Sequence, residues 1–322
     1  MKIIFIGTPQ FGAIVLEGLV KTNCKPVLVI TAPDKPVGRK QILKPSEVKL
    51  VARQNDISII QPKRIKEALP EIKKINPDLI VSAAYGQIIP KEILDIPKHG
   101  NLNIHPSLLP KHRGPSPIQT AILNGDSKTG VSIYLMDEQV DHGKIIISGE
   151  CPMGNMYYKE LTEKLAELGL KLLKEIIPKI ENNEIEPKAQ NENEATHTKT
   201  IKKEDGRIDW TKPAEKIERH IRAFHVWPGS FTFWKKNNKK SLRLKILKAE
   251  VLKPMSNFID PKPRPHSIGQ IVQMPIEGEE KLHIKCGEDL LTIEELQLEG
   301  KNPLHYKDFL RGNPEFINAI LK

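Results

Sequence analysis

Residues 2–30 read KIIFIGTPQFGAIVLEGLVKTNCKPVLVI, and their pattern decides the fold class. A first strand-forming run over residues 2–6 ends in Gly7-Thr8-Pro9, an amphipathic stretch follows over 11–20, and a second apolar run covers 27–30. Strand, turn, helix and strand within about 30 residues make the βαβ unit of a parallel sheet. The alternation continues through Ser58-Ile59-Ile60, a charged helical stretch over 65–74, the run 78–81 and the run 101–104. Strands buried on both faces are expected to be this uniformly apolar. The turn Gly7-Thr8-Pro9-Gln10-Phe11-Gly12 does not match a dinucleotide fingerprint, because its glycine spacing differs and Pro9 removes a backbone donor. It reads as a tight strand-to-helix turn with Pro9 near the first helical position.

Beyond this core, residues 130–135 and 144–148 read as a strand pair, and a helix is expected over about 158–180. Leu161, Leu165, Leu168 and Leu172 fall near helical spacing and form a core face. From residue 181 to 206 the chain turns polar (ENNEIEPKAQNENEATHTKTIKKEDG), which reads as a linker or a loosely packed crossing segment. A short helix around 214–223 and alternating runs such as 242–246 and 282–285 then suit the half-buried strands of a small barrel. With 322 residues the chain exceeds the size of a single growing core. Two domains are expected, residues 1–205 with a linker from about 181, and residues 206–322.

Composition narrows the class. The chain is 39% hydrophobic and 28% charged, as in soluble globular proteins, and no apolar stretch approaches the roughly 18 residues that would span a bilayer. The apolar start is too short for a signal segment, so a cytoplasmic protein is expected. Three cysteines, Cys24, Cys151 and Cys286, build neither a disulfide framework nor a zinc spacing. The formal net charge of +10 suits a polyanionic partner, although lysine-rich surfaces also serve solubility.

Chemistry concentrates in residues 103–117, NIHPSLLPKHRGPSP. Alternate residues of a strand share a face, so Asn103 and His105 point the same way. Two polar donors at a strand end suit an oxyanion that develops during acyl transfer. Downstream, Asp141 sits in MDEQVDHG (136–143) between the two expected strands and adds a carboxylate. Spacing alone leaves a plainer reading open, in which the His-Pro pair simply ends a strand.

The run NIHPSLLPKHRGPSP, taken with Asp141-His142-Gly143, resembles the signature of the folate-dependent formyltransferases. The opening IIFIGTPQF, the loop TAPDKPVGRKQILKPSEVK, GRIDW, IRAFHVWPGS and DFLRG extend the likeness, in order, to the methionyl-tRNA formyltransferase family over nearly the whole chain. The resemblance implies a Rossmann-like α/β formyltransferase domain with a mainly parallel sheet, followed by a smaller OB-like β-barrel domain that helps hold transfer RNA. It implies Asn103, His105 and Asp141 as catalytic groups and Ser107, Leu108, Leu109 and Pro110 as contacts to the co-substrate, 10-formyltetrahydrofolate. The expected partners are that folate and initiator Met-tRNA, with no membrane. The chain is expected to act as a monomer, and the chemistry calls for no metal.

Basic residues supply the expected transfer RNA contacts. Residues 33–49 carry Lys35, Arg39, Lys40, Lys44 and Lys49 and are broken by prolines and Gly38, which argues against regular helix or strand. By itself this is a solvated loop. In the family the matching loop enters the acceptor stem, and Arg39 falls at its basic position, so Arg39, Lys40 and Lys44 are candidate contacts. In the second domain Lys235, Lys236, Lys239 and Lys240 lie in a segment without one acid, which is either a solubilising hairpin tip or a surface that tracks a phosphate backbone. His220 and His225 are read as structural and Trp227 as buried.

The chain departs from the family pattern at His142, Pro106, His112 and Glu47, none of them a catalytic position. Two other readings stay open on the sequence. Formyl transfer to a small amine would keep the three polar groups without needing the basic segments. A transfer-RNA-binding protein with an inactive site would be expected to have lost one of those groups.

Overall fold

The computed structural model describes residues 1–37, 41–236, 241–252, 267–276 and 278–322. The chain forms two compact units. The first comprises Met1–Ala121, Asp126–Asn155 and Glu160–Thr200, and the second comprises Ile122–Gly125, Met156–Lys159 and Ile201–Lys322.

In the first unit the chain runs β1 (Ile3–Gly7), α1 (Gln10–Val20), β2 (Leu28–Ile30), β3 (Lys35–Val37), β4 (Ile42–Lys44), α2 (Glu47–Gln54), β5 (Ser58–Ile60), α3 (Leu69–Ile75), β6 (Leu79–Ala83), α4 (Lys91–Leu94) and β7 (Asn101–His105). It continues through α5 (Pro117–Asn124), β8 (Lys128–Leu135), β9 (Ile145–Pro152) and α6 (Tyr158–Glu181). Seven strands make one sheet in the order β5-β2-β1-β6-β7-β8-β9. The pairs from β5 to β7 are parallel, and β8 and β9 join antiparallel. Every residue of β1, β2 and β6 is buried, as the apolar runs require. Pro9 is the N-cap of α1, beside the first helical position as expected. Helix α6 buries Leu161, Leu165 and Leu172 of the expected leucine stripe together with Leu173 and Ile176, while Leu168 is half-buried.

The strand order turns back on itself between β1 and β6, since the chain first builds outward through β2 and β5 and then returns. In open α/β sheets, ligands lie beyond the carboxyl ends of the strands near such a switch point. His105 is the last residue of β7 and so lies at that end of the sheet.

Residues 33–49 are more regular than their prolines suggested. Strands β3 and β4 pair antiparallel, Lys35 with Lys44 and Val37 with Ile42, so this loop contains a short hairpin. Its ends are clamped. Lys49, expected as a loop cation, lies in α2, is 7% exposed and reaches both Asp34 carboxylate oxygens at 2.8 and 2.7 Å. Those bonds, together with one from Gln61, hold the Asp34 carboxyl below its ordinary pKa. Arg39 and Lys40 lie outside the described residues.

The second unit holds α7 (Ala214–Ala223), β10 (Phe231–Lys235), β11 (Ser241–Leu252), β12 (Ile271–Ile276), β13 (Glu279–Lys285), β14 (Leu290–Leu298), β15 (Leu304–His305) and α8 (Tyr306–Gly312). Its sheet runs β10-β11-β14-β13-β12 with β15 on β14, and all pairs are antiparallel. The terminal residues bond both edge strands. Phe233 and Lys322 exchange backbone hydrogen bonds at 2.9 and 3.0 Å, and Ile271 donates to the Ala319 carbonyl at 2.8 Å. Leu321 donates to the Gly269 carbonyl at 2.9 Å. The tail therefore joins β10 to β12 and closes the sheet into the expected small barrel around Trp234, Ile246, Leu282, Phe309, Phe316 and Leu321. Closure protects edges that would otherwise present unpaired backbone groups.

Trp227 corrects a sequence expectation, because it is 53% exposed. It sits in the turn between α7 and β10 rather than on a face of either element, so no packing layer covers it. His220 is structural as expected. Its ring nitrogens meet the Ser230 hydroxyl and the Asp205 carbonyl at 2.8 Å each, and burial lowers its pKa.

Ending the chain after Asn318 should open the barrel. The loss combines the burial of Leu321 with several backbone hydrogen bonds, so thermal or urea unfolding should show the second unit destabilised by about 3–5 kcal/mol.

Candidate active site

Strand β7 presents Asn103 and His105 on one face, and the register of β8 sets their neighbours. Asn103 lies opposite Tyr134, and His105 lies opposite Ser132. On the other side Asn103 is the register partner of Ser82 in β6. A polar row thus crosses three strands near the carboxyl end of the parallel sheet.

Asp141 enters from the loop between β8 and β9. Its left-handed backbone (φ 51°) is a conformation that aspartate tolerates better than most residues. Gly143, two residues on, fits because a Cβ there would stand 1.8 Å from the Leu135 carbonyl oxygen. The Asp141 side chain is 11% exposed, and its charge is met by donors. The Tyr134 hydroxyl donates to Oδ1 at 2.7 Å and the Gly114 backbone N–H donates to Oδ2 at 2.6 Å. His105 Nδ1 lies 3.6 Å from Oδ1. Asn103 Nδ2 donates to the Tyr134 hydroxyl at 3.1 Å. The three groups chosen from the sequence therefore share one buried cluster, linked through a tyrosine that the sequence reading did not select.

The far nitrogen of His105, Nε2, donates to the His112 carbonyl at 3.0 Å. A carbonyl only accepts, so Nε2 carries a hydrogen and Nδ1 is the atom turned toward Asp141. The His112 backbone is itself held, with its N–H on the Thr196 hydroxyl at 2.8 Å.

The polar stretch after α6 supplies further support. Gln190 Nε2 donates to the Asp141 and Gly143 carbonyls at 2.9 and 2.8 Å. Arg113, 3% exposed, forks onto Glu192 at 2.9 and 2.6 Å and also reaches Gln190. The Glu192 bond raises the Arg113 pKa, and the same bond lowers that of Glu192. Arg113 also exchanges backbone bonds with Thr196 and Thr198. This stretch is expected as a linker or a loosely packed crossing, and residues 188–199 are instead bonded along the loops that follow β7 and β8. Their polar composition signals hydrogen bonding as readily as solvation. His142, the departure beside Asp141, faces Asp137 at 2.6 Å through Nδ1.

The stretch expected to contact folate forms a tight loop. Ser107 is fully buried and donates its hydroxyl to the Lys111 carbonyl at 2.6 Å, while Ser132 Oγ receives the Leu109 N–H at 3.0 Å and bonds the Ser107 carbonyl at 2.9 Å. Leu109 is buried, and Leu108 and Pro110 are half-buried. Two buried polar atoms at this end of the sheet, Ser82 Oγ and Tyr85 Oη, have no hydrogen-bond partner among the described residues. Burial raises the Tyr85 pKa to about 12. The unpaired Ser82 hydroxyl, in register with Asn103, suits a flat ligand with a polar edge. Among the described residues no group of three His, Cys, Asp or Glu could hold a metal ion, and no helix is long and apolar enough to cross a membrane.

Of the basic candidates, Lys44 ends β4 in an exposed position 3.6 Å from Glu47, and Lys235 ends β10 exposed. Lys236 is engaged, with Asn313 at 2.8 Å, Glu315 at 3.0 Å and the Trp234 ring beneath it. Lys239 and Lys240 lie outside the described residues.

Gly114 adopts φ 110°, and a Cβ there would lie 2.8 Å from Thr198 Oγ1. Gly114→Ala should therefore lower stability by about 1–3 kcal/mol in urea unfolding, because backbone strain adds to the displaced N–H beneath Asp141.

A family model described as formyl transferase matches residues 1–177, and one described as formyl transferase, C-terminal domain, matches residues 200–314. The methionyl-tRNA formyltransferase of Mesoplasma florum is 42% identical over 320 residues, covering 97% of this chain and 96% of its own. That of Citrifermentans bemidjiense is 38% identical over 315 residues, covering 97% and 93%. In structure, the chain is similar to an N-formyltransferase from Helicobacter canadensis in complex with folinic acid and dTDP-3-aminofucose, with a TM-score of 0.62, 24% identity and coverage of 91% and 98%. It is also similar to HypX from Aquifex aeolicus in complex with tetrahydrofolic acid, with a TM-score of 0.63, 18% identity and coverage of 98% of this chain and 47% of that one. These two likenesses speak for the fold.

Proposed function

The chain belongs to the methionyl-tRNA formyltransferase family, and on that premise we propose that it moves the formyl group of 10-formyltetrahydrofolate onto the α-amine of methionine esterified to initiator transfer RNA, in the cytoplasm. The observation that carries this reading is the clustering of Asn103, His105 and Asp141, with Asp141 Oδ1 3.6 Å from His105 Nδ1 and tied to Asn103 through the Tyr134 hydroxyl.

The folate supplies an activated one-carbon group, and the chain's own residues manage the charges of its transfer. Attack of the free amine on the formyl carbon gives a tetrahedral centre with negative oxygen and positive nitrogen. An α-amine has a reference pKa of about 7.7–8.0, so the site needs no strong base. Asn103, through its second Nδ2 hydrogen, and protonated His105, through Nδ1, donate to the developing oxyanion. Asp141 faces the incoming nitrogen, offsets its charge and accepts its proton. The C–N bond to the folate then breaks, and the proton passes to the leaving nitrogen.

The loop of Ser107, Leu108, Leu109 and Pro110 borders the folate position. Ser107 and Leu109 act there by shaping the loop, and Leu108 offers apolar contact. Lys44 and Lys235 offer exposed charge to the transfer RNA backbone, joined in this reading by Arg39, Lys40, Lys239 and Lys240. Lys236 contributes less, since Glu315 already meets its charge. The chain acts as a monomer.

Asn103→Ala and His105→Ala should each reduce turnover by roughly two to three orders of magnitude with folding retained, as loss of a preorganised oxyanion donor does elsewhere. The assay compares labelled formyl transfer to charged initiator transfer RNA, uncharged transfer RNA and small amines. Wild-type rates in both variants would remove these residues from the chemistry, and product on small amines alone would overturn the acceptor.

A further inference from the structure

Tyr134 lies between two of the groups that this reaction needs. Its hydroxyl is 2.7 Å from Asp141 Oδ1 and 3.1 Å from Asn103 Nδ2, its side chain is 2% exposed, and it is the direct cross-strand partner of Asn103. We propose that Tyr134 is a positioning residue of the formyl-transfer site, coupling the Asp141 charge to the Asn103 amide and so aiming the free N–H of Asn103 at the oxygen of the reacting formyl group. This rests on the roles given above to Asn103, His105 and Asp141.

Hydrogen-bond valence fixes the direction of the chain. A phenol carries one hydrogen and a carboxylate only accepts, so that hydrogen goes to Asp141. The phenol oxygen is then an acceptor, and Asn103 must turn its NH₂ group toward it. One amide hydrogen is used in that bond. The other diverges from it within the amide plane and remains free for the site. Without the hydroxyl, nothing in this bond set stops the amide from rotating end for end and presenting its carbonyl, an acceptor, where an oxyanion must form.

The same hydroxyl restrains the carboxylate. Oδ2 is held by the Gly114 N–H, and Oδ1, held by Tyr134, is the oxygen that faces His105 Nδ1. The carboxylate therefore cannot swing away from His105 without losing one bond or the other. Burial, followed by the nearby Asp141 charge, raises the phenol pKa well above its ordinary value, so Tyr134 keeps its hydrogen across the working pH range. Aligned donors in a low-dielectric interior also polarise one another, and the amide hydrogen gains strength from a charge it does not touch.

The test is Tyr134→Phe, which keeps the ring and removes the oxygen. Turnover should fall about 10- to 100-fold, less than for direct loss of an oxyanion donor, with KM for folate and acceptor changed by less than about threefold. In an Asn103→Ala background the same change should cost less than about threefold, because the group through which Tyr134 acts is gone. Rates are taken per tetrahydrofolate-binding site, so that misfolded protein is not counted. An unchanged turnover, or an equal loss in both backgrounds, would overturn the proposal. Slow Asn103→Ala and His105→Ala enzymes beside a fast Tyr134→Phe enzyme would sink this role alone, whereas wild-type rates in the first two would sink the site on which it rests. A measurement on the unmutated protein is independent of any variant's folding. One of the two Asn103 side-chain amide hydrogens should exchange slowly with solvent and the other freely, and two rapidly exchanging hydrogens would contradict the bond to Tyr134.

Discussion

A carboxylate withdrawn from water must have its charge answered by donors, and in this protein Asp141 imposes that demand on several separate segments. The Gly114 N–H comes from the loop after β7 and the Tyr134 hydroxyl from β8, and the His105 ring at the end of β7 stands 3.6 Å away. Leaving such a charge unanswered would cost several kcal/mol, comparable to much of a domain's net stability. Three pieces of chain are thus held at one point by a single negative charge. The cluster proposed for the reaction is also one that the fold must keep whole.

Strand parity does the remaining placement. Asn103 and His105 occupy alternate positions of β7, and Tyr134 and Ser132 stand opposite them on β8. Because side chains alternate with period two, a one-residue slip between β7 and β8 would turn Tyr134 and Ser132 to the opposite face. It would unseat the loop that Ser132 anchors at Ser107 and Leu109 together with the phenol between Asn103 and Asp141. The strand order adds the location, since the parallel strands bring their carboxyl ends to one edge near the point where the connectivity reverses.

Much of this was legible in the sequence because local pattern decides it. Uniform apolar runs marked β1, β2 and β6, leucine spacing marked the buried face of α6, and alternation placed Asn103 with His105. Pairing between distant segments was not legible. Tyr134 looked like one more residue of an apolar strand, and its role in the cluster depends on a register that no local signal encodes. Arg113 and Gln190 were hidden in the same way, one within a familiar motif and the other in a stretch whose polarity read as solvation. Lys49 was counted as a loop cation until Asp34 claimed it. Trp227 was assigned to the interior on residue type alone, whereas its exposure follows from its place in a turn. Burial belongs to position in the fold before it belongs to chemistry.

The bonds made by residues 188–199 change what counts as a self-sufficient catalytic module. Likeness to the formyl transferase family model ends at residue 177, yet Gln190, Thr196 and Thr198 brace the backbone around Asp141, His112 and Arg113 from beyond that point. A fragment trimmed where similarity fades would keep Asn103, His105 and Asp141 and lose the brace that aligns them. Recombination that grafts this catalytic half onto a different partner domain must therefore carry about twenty further residues of polar, unremarkable chain across the junction, or inherit the chemistry without its geometry.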